Sequence, residues 1–299
     1  MIHCVDRNCK KGSKMRRAYV TYITALLLFG LNGIVAGRIA MSSYEIVLLR
    51  TGIGSMLLVV LFAIGKGRLT FYKRRGDFLF LCLSGMAMGA SWMFLYEAYR
   101  QIGVSIASLC YYCGPVLVVA ASPMIFREKM TAQKVFGLLA VFCGIFLVNG
   151  KLLLAGGSRI GFLCGFLSAV MYAFMVVFNK KAEQIVGLEN AMLQLVISFI
   201  TVAVYTGIRY GYDFAIPESS IPWILVLGLF NTGLGCYFYF SSIGKLPVQT
   251  VAVCGYLEPL SAVLFSVVLL KETMTVIQVF GVVLILGGAG LSEIRAKRS

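Results

Sequence analysis

Ten stretches of the chain are each long and apolar enough to cross the hydrocarbon core of a bilayer, which takes about 20 helical residues. Their approximate spans are 18–40, 44–65, 77–98, 103–126, 133–150, 159–179, 188–208, 222–243, 247–270 and 276–293. None shows the residue-by-residue alternation of an outer-membrane barrel strand. A helix satisfies its own backbone hydrogen bonds in lipid, so the expected fold is an all-α polytopic membrane protein. The connections are short, and the longest, Arg209 to Ile221, holds a turn or two and no aqueous catalytic or binding domain. Composition agrees, with 60% of 299 residues hydrophobic and only 13% charged, where soluble domains are about one quarter charged.

A formal charge of +15 would point to nucleic acid in a water-soluble chain, so the positions of the charges decide its meaning. Counted over alternate connections, 20 of the 27 Lys and Arg fall on one side: the N-terminal tail, Lys66 to Arg75, Arg127 to Lys134, Lys180-Lys181, Lys245 and the C-terminal tail. The other side holds Arg38, Arg100, Lys151, Arg159, Arg209 and Lys271, and Arg50 lies inside a span. This bias predicts a multi-pass protein of the cytoplasmic membrane with both termini in the cytoplasm. The basic excess is then an orientation signal with some attraction to anionic headgroups, and no nucleic-acid partner is expected. The basic residues before Ala18 lead into a run of full span length without a small-residue cleavage site, as in an uncleaved signal anchor, and Met15 before two arginines is a second candidate start.

The chain also repeats itself. Sliding Cys110–Leu147 onto Cys254–Leu291, an offset of 144, gives 13 identities in 38 positions without a gap, including Tyr112 on Tyr256, Pro115 on Pro259, Glu128 on Glu272 and Phe136-Gly137 on Phe280-Gly281. Each half then holds five spans, and an odd number forces the second copy into the membrane with opposite polarity. The expected organisation is a basic tail (1–17), a first five-helix repeat (18–150), a linker (151–158), a second repeat (159–293) and a basic tail (294–299). Inverted repeats are the geometry of alternating access, with the ligand site near the midplane where the copies meet.

The stretch that ends each half, from Pro115 to Arg127-Glu128 with Gly137 and Gly144, and from Leu257-Glu258-Pro259 to Lys271-Glu272 with Gly281 and Gly288, resembles the EamA repeat of the drug/metabolite transporter superfamily. Leu48-Leu49-Arg50 in the second span strengthens the likeness, which covers nearly the whole chain. The resemblance implies a secondary transporter, often an exporter of amino acids or related metabolites. It also implies a central cavity lined mainly by the third, fourth, eighth and ninth spans.

Charged residues inside the spans are the first candidates for transport chemistry, because each carries a cost of about 2.5–3.5 kcal/mol at mid-membrane. Glu258, directly before Pro259, is the sharpest: a carboxylate that could hold a proton or an amine, or simply cap a helix bend. Pro115 and Pro259 each remove a backbone donor and are expected to kink their helices. Arg50 and Glu97 are expected in the outer thirds of spans two and three, where they could pair with each other or serve as a gate. Asn32, Asn231 and Gln249 offer neutral polar groups for interhelical bonding or for ligand. Trp92, Tyr96, Tyr112, Tyr237 and Tyr256 could line a cavity and hold an aromatic or ammonium group by cation–π attraction. Glycine pairs at helical spacing, Gly33 with Gly37, Gly85 with Gly89 and Gly161 with Gly165, should allow close helix approach.

The nine cysteines lack metal or redox spacing, and the single histidine is His3, so neither a His relay nor a Ser/His/Asp triad exists within the membrane. With no Walker A sequence the chain does not hydrolyse nucleotide itself. No metal or cofactor is implied, and an enzyme is not expected. The reading is a secondary carrier for a small organic molecule, most readily an amino-acid or metabolite exporter, with protons as a candidate coupling ion and the bilayer as its surroundings. The alternatives are an uptake carrier for a cationic or aromatic compound and, from another class, a membrane receptor or scaffold without transport. The oligomeric state is not legible in the sequence.

Overall fold

The computed structural model describes residues 2–102, 107, 110–126, 131–153, 158–270 and 276–294. The Arg127-Glu128 and Lys271-Glu272 motifs lie outside the described residues, as do the side chains of the first 14 residues, Gln249 and Pro259. All described regular structure is helical: α1 (Ile2–Gly30), α2 (Asn32–Ala36), α3 (Ser43–Ile64), α4 (Arg75–Ile102), α5 (Gly114–Phe126), α6 (Ala132–Leu153), α7 (Arg159–Lys181), α8 (Gly187–Arg209), α9 (Ile221–Leu225), a π-helix (Val226–Leu234), α10 (Gly235–Ile243), α11 (Val248–Gly255), α12 (Leu257–Leu270) and α13 (Val276–Ile294). Among the described residues, six stretches are long and apolar enough on their own to cross a membrane: Met15–Ala36, Ser43–Ile64, Arg75–Ile102, Arg159–Lys181, Gly187–Arg209 and Glu218–Ile243. The other four expected segments hold α5, α6, the α11–α12 pair and α13.

Local sequence sets several boundaries. Ser42 and Glu45 form a capping box at the start of α3, the Ser42 N–H donating to the Glu45 carboxylate at 2.8 Å, which satisfies donors that the first turn would leave unpaired. Gly211, at φ 77°, closes α8 by donating its N–H to the Thr206 carbonyl, a left-handed conformation that glycine adopts without strain. Large apolar side chains cover the outside, with Ile64 74%, Phe136 70% and Ile208 84% exposed. A surface of that kind suits lipid and not water.

The connections sort to two ends of the bundle. At one end the buried Glu189 carboxylate, in the first turn of α8, accepts bonds from the Thr70 hydroxyl and the Phe71 N–H. There Lys180 also donates to the Leu246 carbonyl and Asp77 accepts from the Gln184 N–H, so 65–75, 181–187 and 244–248 lie together. At the opposite end the Ala40 N–H donates to Ser220, Arg38 lies over Trp223, and Tyr44 stacks on Tyr210. We call these the Lys180 end and the Arg38 end. Among the described residues they group 65–75, 181–187 and 244–248 apart from 37–42 and 210–220, as the charge count does for these connections.

Packing partners repeat when the two halves are exchanged. α3 packs antiparallel on α8, and α6 on α13, each pair being its own counterpart. The pairing of α4 with α7 is matched by that of α10 with α1, that of α4 with α8 by that of the π-helix with α3, and that of α5 with α7 by that of α12 with α1. The α2–α3 connection lies at the Arg38 end and its equivalent between α7 and α8 at the Lys180 end, so the repeats are inverted. Two of the glycine pairs work as close contacts: a Cβ at Gly89 would stand 3.0 Å from the Ser198 carbonyl, and one at Gly165 would stand 2.8 Å from Cys110 Cβ. Gly33 does not, since a Cβ there would meet nothing within 4 Å; it and Gly37 line a cavity wall. Gly89→Val should therefore cost about 1–3 kcal/mol and lower the apparent Tm of the purified protein, whereas Gly33→Val should leave it unchanged. Equal melting of both variants would contradict this packing.

Candidate functional site

Two helix breaks set up the site. Span four turns at Tyr112-Cys113 before α5 begins, and span nine turns at Tyr256 between α11 and α12. The breaks fall on the repeated Tyr112 and Tyr256, a few residues ahead of the repeated prolines. Pro115 and Pro259 sit in the first turns of α5 and α12, where a missing N–H costs no helical bond. The chain thus restarts a helix at each position, where the sequence predicted a kinked but continuous one. Interrupted backbone inside a membrane is tolerated where it is buried in protein or lines a cavity, and Tyr111, Tyr112 and Glu258 line one of about 440 Å³.

That cavity runs inward from a rim at Gly37, Ser43 and Arg100 of the Arg38 end, and a small extension continues between Trp92, Tyr172, Cys236 and Tyr239. Glu258 is the second residue of α12 and lines both parts. Among the described residues nothing is bonded to its carboxylate.

Arg50, only 3% exposed, enters the same cavity from α3. Its Nε donates to Thr232 Oγ1 at 2.9 Å, and its terminal nitrogens donate to the Tyr96 hydroxyl at 3.3 Å and Asn32 Oδ1 at 3.5 Å. The guanidinium lies 4.6 Å from the Trp92 ring centroid. All these partners are neutral, so the cation is held in place and its charge is not cancelled by a bonded carboxylate.

Neighbouring residues hold those partners. Thr232 lies in the π-helix and donates its hydroxyl to the Leu227 carbonyl five residues back, the wider winding that often marks functional sites. Asn231, beside it, donates to the Leu28 carbonyl at 2.9 Å and to Asn32 Oδ1 at 3.2 Å. In the inverted repeat the place of Arg50 is taken by Gln194 and that of Thr232 by Met88, and these two also meet, Gln194 Nε2 at 4.0 Å from Met88 Sδ. The two repeats share this crossing, and only one gives it a charge.

Of the residues named from the sequence, Asn32, Arg50, Trp92, Tyr96, Tyr112 and Glu258 meet around one cavity. Asn231 stands behind Asn32 as its support. Tyr256 is fully buried in the core, and Tyr237 faces a separate cleft at the Lys180 end with Arg17, Thr21 and Lys245. The expected pairing of Glu97 with Arg50 is not formed. Glu97 bonds on its own helix to Arg100 at 2.6 Å and Gln101 at 2.9 Å, and accepts from the Tyr44 hydroxyl. Three and four residues along a helix place side chains on one face, a local signal that outcompetes the more distant cation. Sequence reasoning did not select Thr232, Tyr111 or Arg100 for the site. Thr232 needed the π-helix to be visible.

A double-mutant cycle on stability should therefore find Glu97→Gln and Arg50→Gln additive. Glu97→Gln and Arg100→Gln should couple by about 0.2–1 kcal/mol, the range for a partly exposed pair. Coupling in the first cycle and none in the second would reverse this assignment.

Two stretches of the chain, residues 16–150 and 159–293, match the sequence model of the EamA-like transporter family. The "Uncharacterized transporter YxxF" of Bacillus subtilis (strain 168) is 24% identical over 284 residues, 93% of this chain and 90% of the relative. The "Uncharacterized transporter YetK" of the same organism is 25% identical over 309 residues, covering 95% and 89%. A solved crystal structure with 18% identity superposes with a TM-score of 0.80 over 94% of this chain and 99% of its own, a likeness of fold alone. Both matched stretches carry a broken helix with its repeated tyrosine and proline, and together they span most of the chain: this polytopic membrane protein belongs to the EamA-like transporter family and is a transporter, not an enzyme.

Proposed function

We propose that the chain is a secondary active carrier that moves a small organic metabolite by alternating access, with an amino acid or a related compound as its cargo and export as its direction. The observation that carries this reading is the joint presence of Arg50 and Glu258 on one cavity of about 440 Å³, where the two inverted repeats meet. A guanidinium forks onto a carboxylate, and a carboxylate accepts from an ammonium, so the two together suit a zwitterion. Trp92, Tyr96 and Tyr112 supply apolar walls for a side chain. Among the described residues Glu258 is also the one carboxylate lining the cavity, and therefore the candidate for carrying a coupled proton. In this reading the units 18–150 and 159–293 rock about the site, and residues 151–158 join them. Both termini lie in the cytoplasm of a cell-membrane protein, which makes the Lys180 end the cytoplasmic end.

A second reading, uptake of a cationic aromatic compound, draws on the aromatic rings around Glu258: Tyr111 and Tyr112 have centroids 5.6 Å apart, and Trp92 completes the wall. Here Arg50 would repel the cargo, which is why we place it second.

A thermal-shift screen of the purified carrier separates the two, since a ligand stabilises the state that it binds. Amino acids should raise the Tm and simple aromatic amines should not; the reverse result would select the second reading. In proteoliposomes, Glu258→Gln should lower transport and flatten its pH dependence, and unchanged pH-dependent transport would remove Glu258 from coupling. A C-terminal reporter fusion should respond as cytoplasmic; a signal from the other side of the membrane would overturn the orientation.

A further inference from the structure

The cavity ends on a layer of aromatic side chains, and a second vestibule lies on the far side of it. Tyr172 and Tyr239 line the deep extension, and their hydroxyls are 3.3 Å apart. Tyr22, fully buried, packs its ring 5.3 Å from that of Tyr239 and donates its hydroxyl to the Val251 carbonyl of α11 at 2.7 Å. Phe240 lines the deep extension and also a cavity of about 480 Å³ that opens at the Lys180 end between Asn179, Asn190, Lys245 and Val248. One layer of side chains therefore separates the two spaces.

The inverted repeat explains what the second space is. Its walls come from the end of α7, the start of α8, the end of α10 and the start of α11. The first draws on the equivalent end of α1–α2, start of α3 and end of α4, and adds Tyr111, Tyr112, Glu258 and Ala262 from the two helix breaks. The vestibule at the Lys180 end thus occupies the place that the inverted repeat assigns to a second entrance, and the aromatic layer cuts it off from Arg50 and Glu258.

The layer itself is not symmetric. At the 144-residue offset, Tyr172 is replaced by Leu28, Tyr239 by Leu95 and Tyr22 by Phe166. Every hydroxyl is lost. The contacts that close the Lys180 end contain buried hydrogen bonds, and the equivalent contacts at the Arg38 end cannot make them.

We propose that Tyr22, Tyr172, Tyr239 and Phe240 form the gate between two access routes, and that the hydroxyl bonds of this layer hold the resting carrier open toward the Arg38 end. The inference rests on the alternating-access reading above and adds to it the gating residues and the reason for an unequal resting equilibrium. None of the four is among the residues that bind cargo in that reading. They act by deciding which side the cavity faces.

The test reads which side of the membrane reaches the cavity. A single cysteine at Ala262, which lines the open cavity, is placed in a cysteine-free background, and its labelling by a membrane-impermeant methanethiosulfonate is timed in right-side-out and inside-out vesicles. The parent should react mainly from the Arg38 end. Tyr22→Phe and the pair Tyr172→Phe with Tyr239→Phe should each shift the ratio toward the Lys180 end by about 2- to 12-fold for each net hydrogen bond lost.

Hydrogen–deuterium exchange on the native chain, which needs no cysteine changes, should show faster exchange over 238–255 in Tyr22→Phe than in the parent. Ratios and exchange rates unchanged from the parent in folded variants would overturn the gate, as would a parent that labels mainly from the Lys180 end. A shifted ratio in a protein that transports none of the solutes screened keeps the gate and sinks the cargo reading. Transport with an unshifted ratio does the opposite.

Discussion

A guanidinium with 3% exposure inside a membrane protein, bonded to no carboxylate among the described residues, is the constraint from which the site follows. Burying an unpaired charge is costly, and a structure keeps one only where polar groups replace its hydration. For Arg50 the replacements are two hydroxyls, one amide oxygen and the face of an indole. The four groups come from three separate helical elements. Thr232 reaches it from a π-helical stretch, Asn32 stands where α1 gives way to α2 and is fixed by Asn231, and Tyr96 and Trp92 come from one face of α4. Moving any of these helices changes the solvation of the cation, which links the geometry of the bundle to the electrostatics of its centre.

The same architecture is present twice and is used differently each time. The crossing that carries Arg50 and Thr232 in one orientation carries Gln194 and Met88 in the other. The helix restart that holds Glu258 has Gly114 at the equivalent place. Inverted repeats give a carrier two interchangeable shapes because each half can adopt the conformation of its twin. Differences between equivalent residues then make the two shapes unequal in energy and in what they bind. In this chain the charged groups line the cavity that opens at the Arg38 end and the tyrosine hydroxyls lie in the layer beyond it, and neither set has a like-for-like equivalent in the other repeat.

The sequence was informative about depth and poor about direction. Apolar length located the spans, the prolines marked two places of disturbed helix but as kinks and not as interruptions, and the rarity of charge within spans pointed to Arg50 and Glu258. Rotation about each helix axis was not legible, because a run that is hydrophobic on nearly every side has no period from which to read a face. Glu97 was therefore matched with Arg50 by depth alone, although Arg100 and Gln101 lay closer along its own helix. For the same reason Tyr237 was grouped with cavity residues when it faces a cleft at the Lys180 end. The π-helix left no trace in the sequence pattern, yet it orients both Asn231 and Thr232.

By itself the sequence determined the solvent, the helical class, the duplication and its inversion. Those follow from span length, the count of five spans per copy and the identities at a fixed offset, none of which depends on how helices are turned. Tertiary structure decided which polar side chains share a cavity, which end that cavity faces and which aromatic side chains lie beneath it. These depend on helix rotation and on small asymmetries between the repeats, and such properties arise only when helices that are far apart in the chain are packed against one another.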